Sequence, residues 1–400
     1  MTIREIKSGK HIKKIRLPFK PRSADAYNEK YNLILLNSRN RPAAVLIDAT
    51  ALKIVGKAGF NITCNLMNKS SIDRIYAPYD NFDRNLTCLA TDYGGDQISG
   101  HPIWLDATHF VIIDRSNRLL HIYAIEKDET QELYPTWKTK LVQTIRTDSS
   151  LHQLIPEDKD NPNNTVFYGM TEGNQAQKII PRIYKFKFDG FKLIETASPK
   201  MIVVDDLSEP KTKIIGTMGH NLYITPDKKY LYAPLGGTRT QTQWESNIGK
   251  GAIFVVDTTT MEIVKQISAG NGSGHVAFSK QKKMAVVTNH KDNFVTVIDY
   301  NKHQFIKNVP LNFTAENIFN LTQSHMQHIS EDGKYYYNFW TDGGVFFRIN
   351  LESLEVDSSV YTGGTPIQGN FYKKIAMNED IPEPAIKDGY DEFFSSINLF

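Results

Sequence analysis

The sequence predicts an all-β protein made of repeated four-stranded units, and three observations carry that expectation. Short apolar runs rich in Val, Ile, Phe and Tyr alternate with tight polar turns along most of the 400 residues. The runs recur as matching phrases: Arg74-Ile75-Tyr76-Ala77-Pro78 returns as Tyr230-Leu231-Tyr232-Ala233-Pro234. Helical periodicity between the runs is absent, which removes an α/β alternative. Repeats begin near residues 22, 62, 99, 150, 216, 272 and 323, a period of about forty to fifty residues with two longer insertions. A β-rich repeat of that length is one blade of a propeller, since a lone four-stranded sheet leaves its faces unburied until neighbours stack on them. The expected fold is a seven-bladed β-propeller of four-stranded antiparallel blades, one domain over residues 1–375 with a polar tail over 376–400.

Taken in order, residues 9–20 alternate polar and apolar and stop near Pro18, as an edge strand does. Tyr31 to Asn37 is a short apolar run of buried-strand type, and Pro42 to Asp48 followed by Leu52 to Gly56 reads as a strand ending in Asp, a turn and another strand. Phe110 to Asp114 leads to Leu119–Tyr123, and Thr165–Met170 leads to Arg182–Phe186. Ala252–Asp257 precedes Met261–Val264, Phe294–Asp299 precedes His303–Ile306, and Tyr335–Trp340 precedes Val345–Asn350.

The bulk numbers narrow the function classes. Hydrophobic content of 40% and charged content of 23% describe an ordinary globular chain. A formal charge of +3 is too small to suggest a nucleic-acid or membrane-surface partner, so the expected partner is a small-molecule substrate. Two cysteines, Cys64 and Cys88, imply no disulfide framework. No apolar run reaches membrane-spanning length, and residues 1–7 lack a secretory core. The expected compartment is cytoplasmic as the chain stands, and periplasmic had a leader been removed.

His275-Val276-Ala277-Phe278-Ser279 followed by Met284-Ala285-Val286-Val287-Thr288-Asn289, with Phe294-Val295-Thr296-Val297-Ile298-Asp299 after it, resembles the YVTN-type propeller superfamily, which also holds the d1-haem and nitrous-oxide-reductase-like propellers. The resemblance covers most of the chain at the level of the repeat and implies architecture rather than one activity. No Trp-Asp dipeptide closes a blade, so the WD40 signature is missing.

Aligning the repeats by their second strand puts a histidine at the start of the first strand in five consecutive units: His101, His152, His220, His275 and His325, with Cys64 and Ser23 at that place in the units before. First strands of a propeller line its channel, so these side chains are expected to converge on one mouth. Imidazoles brought together there suit a first-row transition metal, iron or copper, with copper favoured if Cys64 joins them. The same pattern also has a purely structural reading, in which Gly100-His101, Gly219-His220 and Gly274-His275 pack one blade on the next. His152 and His325 follow Leu151 and Ser324 instead, which favours a site. Ends of second strands face the same way and offer Asp114, Glu172 and Arg239 for substrate handling; His290 reads as a surface residue or an extra ligand, and Trp340 as core or pocket wall.

No GxSxG elbow, P-loop, CxxC or CxxCH is present. The leading expectation is therefore a metal-dependent oxidoreductase, iron or copper, acting on a small organic substrate or oxygen. A metal-independent lactonase-type hydrolase using a His-Glu-Arg constellation, a tetrapyrrole-binding propeller and a non-catalytic interaction scaffold are the alternatives. The scarcity of cations at the expected mouth counts against the tetrapyrrole.

Overall fold

The computed structural model describes residues 2–4, 11–19, 21–22, 26–39, 42–59, 99–115, 117–130, 136–159, 161, 165–173, 180–201, 204–205, 213–214, 219, 221–236, 251–313, 323–325, 327–363, 370–373 and 392–395. Every regular element among them is a β-strand. The chain divides into two compact units, one of residues 1–2, 13–249 and 253–266, the other of residues 3–12, 250–252 and 267–400.

In the first unit, Ala26–Asn28, Leu33–Asn37, Ala44–Asp48 and Lys53–Ala58 form an antiparallel meander. A second meander runs through Ile103–Trp104, His109–Asp114, Leu119–Asp128 and Thr136–Arg146, and a single parallel bridge, Trp137 to Gly56, ties the two outer strands. The third is Leu151–Pro156, Val166–Thr171, Arg182–Phe188 and Leu193–Met201. Another four-stranded sheet follows through Tyr223–Ile224, Tyr230–Leu235, Ala252–Asp257 and Ile263–Ser268.

The second unit holds Ser273–Ser279, Met284–Asn289, Phe294–Asp299 and Gln304–Pro310, then His328–Ile329, Tyr335–Trp340, Val345–Asn350 and Glu355–Tyr361. Six of the seven expected repeats thus appear as four-stranded sheets; the one starting near 62 lies outside the described residues.

Burial explains why the inner strands read as continuous apolar runs. Successive side chains of His109–Asp114 point to opposite faces. Phe110 and Ile112 pack with Leu33, Leu35 and Leu46 of the first meander, while Val111 and Ile113 pack with Leu154, Phe167 and Phe186 of the third. A strand sandwiched on both faces needs apolar residues at every position, and each such side chain contributes about 1.5–3 kcal/mol by burial. The second unit repeats the arrangement, with Val286, Val295 and Val297 against Tyr336, Phe347 and Ile349. Fourth strands have one free face, and Gln304–Pro310 is largely exposed.

The Asp that ends so many runs is a turn former. Asp48 Oδ1 accepts from the amides of Thr50 and Ala51, Asp257 Oδ1 from Thr259 and Thr260, and Asp299 Oδ1 from Asn301 and Lys302. Each turn then closes on a left-handed residue, Leu52, Met261 or His303. The amide donors hold the Asp257 carboxyl below its usual range, the Thr260 amide first among them, against the opposing effect of burial.

Candidate metal centre

His275, His290 and His325 come together in the second unit. His275 sits in Ser273–Ser279 opposite Thr288, just past a register shift between Ser273 and His275. Such a bulge re-aims the side chain that follows it. His290 is the first residue beyond Met284–Asn289, and its amide bonds the Gly272 carbonyl at 3.0 Å. His325 lies two residues past Gln323, which bridges Trp340 at the start of the next sheet.

The ring centroids are 5.1 Å apart for His275 and His290, 5.1 Å for His275 and His325, and 4.7 Å for His290 and His325. One nitrogen of each ring lies within 4.8 Å of the others. Three atoms so spaced lie within about 2.8 Å of a common centre, against roughly 2.0–2.1 Å for a metal–imidazole bond. Sub-ångström shifts of the side chains close that difference.

The electrostatics favour a neutral His290 ring. His290 Nδ1 is 2.8 Å from the Gln323 backbone carbonyl, which only accepts, so Nδ1 carries the proton and the lone pair is on Nε2. Burial pulls the pKa of His290 down to about 4; the Gln323 carbonyl works against this and the Lys291 charge adds to it. A neutral imidazole fixed at Nδ1 by a carbonyl is the form that binds metals.

A separate polar chain lies in the first unit. His152 Nδ1 is 3.1 Å from Glu172 Oε1, and Arg22 Nη2 is 3.2 Å from His152 Nε2. The arginine can only donate, so Nε2 accepts and Nδ1 gives its proton to the carboxylate. Arg115 pairs with the same Glu172 oxygen, both side chains being buried. The ring of His101 lies 5.1 Å from that of His152, and the His101 amide bonds the His152 carbonyl at 2.9 Å. Gly100 precedes it because a Cβ there would stand 2.3 Å from that carbonyl. The Gly-His dipeptide at 100–101 therefore marks a close approach of two sheets.

Of the residues expected to form the site, the structure brings His275 and His325 together, and separately His101, His152 and Glu172. Asp114 is buried, with its Oδ2 accepting from Asn117 Nδ2 at 2.8 Å and standing 3.6 Å from His121 Nε2. His121 is fully buried. Trp340 is a core residue, its ring tilted against that of Phe313 with centroids 5.0 Å apart. His220, Arg239, Cys64 and Cys88 lie outside the described residues. His290 completes the triad although its position favoured a surface role; the signal that places it is Gly272, whose tight turn pins the segment that carries it.

Comparison with known proteins gives the fold. Residues 201–360 match the family model described as Lactonase, 7-bladed beta-propeller, a stretch that holds all three histidines. No curated protein matches. Among solved structures, the chain is similar to dihydro-heme d1 dehydrogenase NirN in complex with DHE, at 12% identity and TM-score 0.57 over 93% of this chain and 64% of that one. It is also similar to the Dos1 propeller, at 10% identity and TM-score 0.55 over 86% and 71%, and to Saccharomyces cerevisiae Sqt1, at 10% identity and TM-score 0.55 over 85% and 75%. The chain therefore spans less than two thirds of the NirN chain. The fold class is all-β, a seven-bladed β-propeller type with four-stranded antiparallel blades, in agreement with the superfamily resemblance carried by the repeats.

Proposed function

We propose that His275, His290 and His325 hold a mononuclear iron or copper ion and that the protein is a metal-dependent oxidoreductase acting on a small organic substrate or oxygen. The observation that carries the reading is the meeting of three imidazole nitrogens within 4.8 Å. Three imidazole donors, His275 buried and His290 and His325 half-buried, add no negative charge. A ligand set without negative charge then favours the less charged oxidation state, Fe(II) or Cu(I), which is the electron-donating form. Three protein ligands leave at least one position for a substrate, as a catalytic rather than structural centre requires. The metal supplies the redox chemistry; the chain supplies neutral, oriented imidazoles.

The test is metal content of the purified protein by mass spectrometry, for wild type and a His275→Ala/His325→Ala double variant, before and after anaerobic loading with Fe(II) or Cu(I). Near-stoichiometric iron or copper in the wild type, lost in the variant, supports the proposal. A wild type that takes up neither ion overturns it.

A second reading comes from the description of the matched family, lactone hydrolysis. The three histidines then bind a redox-inert ion such as zinc, which three imidazoles also suit, and a lactone carbonyl becomes the acceptor of a water nucleophile. Stoichiometric zinc with lactone hydrolysis, and no oxygen consumption with any redox ion, would favour this second reading over the first.

A further inference from the structure

We infer that Gln323 is a positioning residue for the metal centre, a single buried strap that sets the places of both His290 and His325. The inference rests on the proposed metal site and adds to it the residue on which its geometry depends.

Gln323 is completely buried. Its side-chain Nε2 lies 2.9 Å from the Asn289 carbonyl, 3.0 Å from that of Asp292 and 2.7 Å from that of Phe294. Three carbonyls converging on one atom fix that atom as the amide nitrogen, since an oxygen there would face only acceptors. They belong to the segment that leaves Met284–Asn289 and enters Phe294–Asp299, the segment that carries His290. The backbone carbonyl of the same Gln323 accepts from His290 Nδ1 at 2.8 Å. One residue thus holds the loop by its side chain and the ring by its main chain.

The other half of the strap is local: His325 follows Gln323 by two residues, and backbone pairing holds the segment. Gln323 pairs with Trp340 in an isolated antiparallel bridge, and the Ser324 amide bonds the Phe339 carbonyl at 3.1 Å. These contacts seat the segment that presents His325 against Tyr335–Trp340. Two histidines supplied by neighbouring sheets therefore share one anchor. A displaced anchor moves the His290 nitrogen relative to that of His325, and an ion bound by both feels the change.

A role confined to stability would leave the bound ion's spectrum alone, and this separates the two cases. Gln323→Met keeps the length of the side chain and removes the donors. Gln323→Asn keeps the amide one methylene short, and it covers the case in which the methionine variant fails to fold. Gln281→Met is the control: Gln281 Nε2 straps the Glu331 carbonyl at 3.0 Å on the surface of the same unit. Each protein is titrated with Co(II), following the ligand-field bands, and melted without metal; the wild type is also titrated anaerobically with Fe(II) and with Cu(I).

The expected result is Co(II) binding weaker by about 10–100-fold in Gln323→Met, with shifted bands, a smaller change of the same kind in Gln323→Asn, and wild-type affinity and bands in Gln281→Met. Folded Gln323 variants that bind Co(II) with wild-type affinity and bands overturn the inference while leaving the metal site standing. A wild type that binds no Co(II), Fe(II) or Cu(I) overturns the metal reading itself, and the strap with it.

Discussion

His290 Nδ1 meets the backbone carbonyl of Gln323 at 2.8 Å, and this contact decides which nitrogen of the ring carries the lone pair. Replacing His290 by Ala removes a ligand and leaves a buried carbonyl without its donor. The expected outcome is a loss of metal affinity of at least about a hundredfold together with about 1–3 kcal/mol of stability in the metal-free protein. Isothermal titration with Cu(I) or Fe(II), beside a urea melt, reads both. His303→Ala, in the turn between Phe294–Asp299 and Gln304–Pro310 at a left-handed position, should leave metal affinity unchanged.

Gly272 offers a backbone test of the same loop. Its φ is +69°, and a Cβ there would stand 2.9 Å from Lys291 Cγ and 3.2 Å from His290 Cβ. Gly272→Ala should cost about 1–3 kcal/mol through strain and weaken metal binding as well, because the contact presses on His290. A melt showing the stability loss with metal affinity intact would show that the segment yields without moving the ring.

The fold was legible because its rule is local. Alternation, Asp-led turns and the repeat length are all sequence properties, and strands such as Phe294–Asp299 and Tyr335–Trp340 lie where the sequence placed them. The histidine register was legible in part. His101 and His152 are backbone neighbours, and His275 and His325 meet. His290 was legible only as one of two readings, surface residue or extra ligand: Gly272 marks its turn, but the ring is oriented by Gln323, a residue 33 positions away that also gathers three carbonyls of the same loop. The pairing of His152 with Glu172 escaped for a similar reason: strand-end position brought both to one side, but the tautomer is set by Arg22.

Glu172 is the hub of the first-unit chain, taking Arg115 and His152 on one oxygen while it is itself nearly inaccessible. Glu172→Gln removes the carboxylate charge from a buried ion pair with Arg115. That change should destabilise by about 3–5 kcal/mol. Urea unfolding monitored by tyrosine and tryptophan fluorescence reads the loss, and a change below about 1 kcal/mol would mean that Arg115 finds another partner.

Alkaline pH tests the core beside the triad. Tyr336 is fully buried, its hydroxyl 2.8 Å from Thr288 Oγ1 and accepting from Asn338 Nδ2 at 2.8 Å. Burial pushes its pKa up to about 12, with the Thr288 and Asn338 bonds opposing. The folded value thus lies above the unfolded value near 10. The folded protein holds this proton more tightly, so the contribution is complete below pH 10 and fades as pH rises toward 12. Two pH units correspond to about 3 kcal/mol. Tyr123, Tyr168 and Tyr184 are also pushed upward, each mainly by burial and further by Asp114, Glu157 and Asp148 respectively, so the wild type should lose stability steeply in this range. Tyr336→Phe should be about 1 kcal/mol less stable at pH 8, where Asn338 and Thr288 lose a partner. Its decline above pH 10 should be shallower by about 1.4 kcal/mol per pH unit, the slope of one proton, so the two stability curves cross near pH 11. Parallel curves from denaturant melts at pH 8 through 12 would mean that Tyr336 ionises no differently in the folded and unfolded chains.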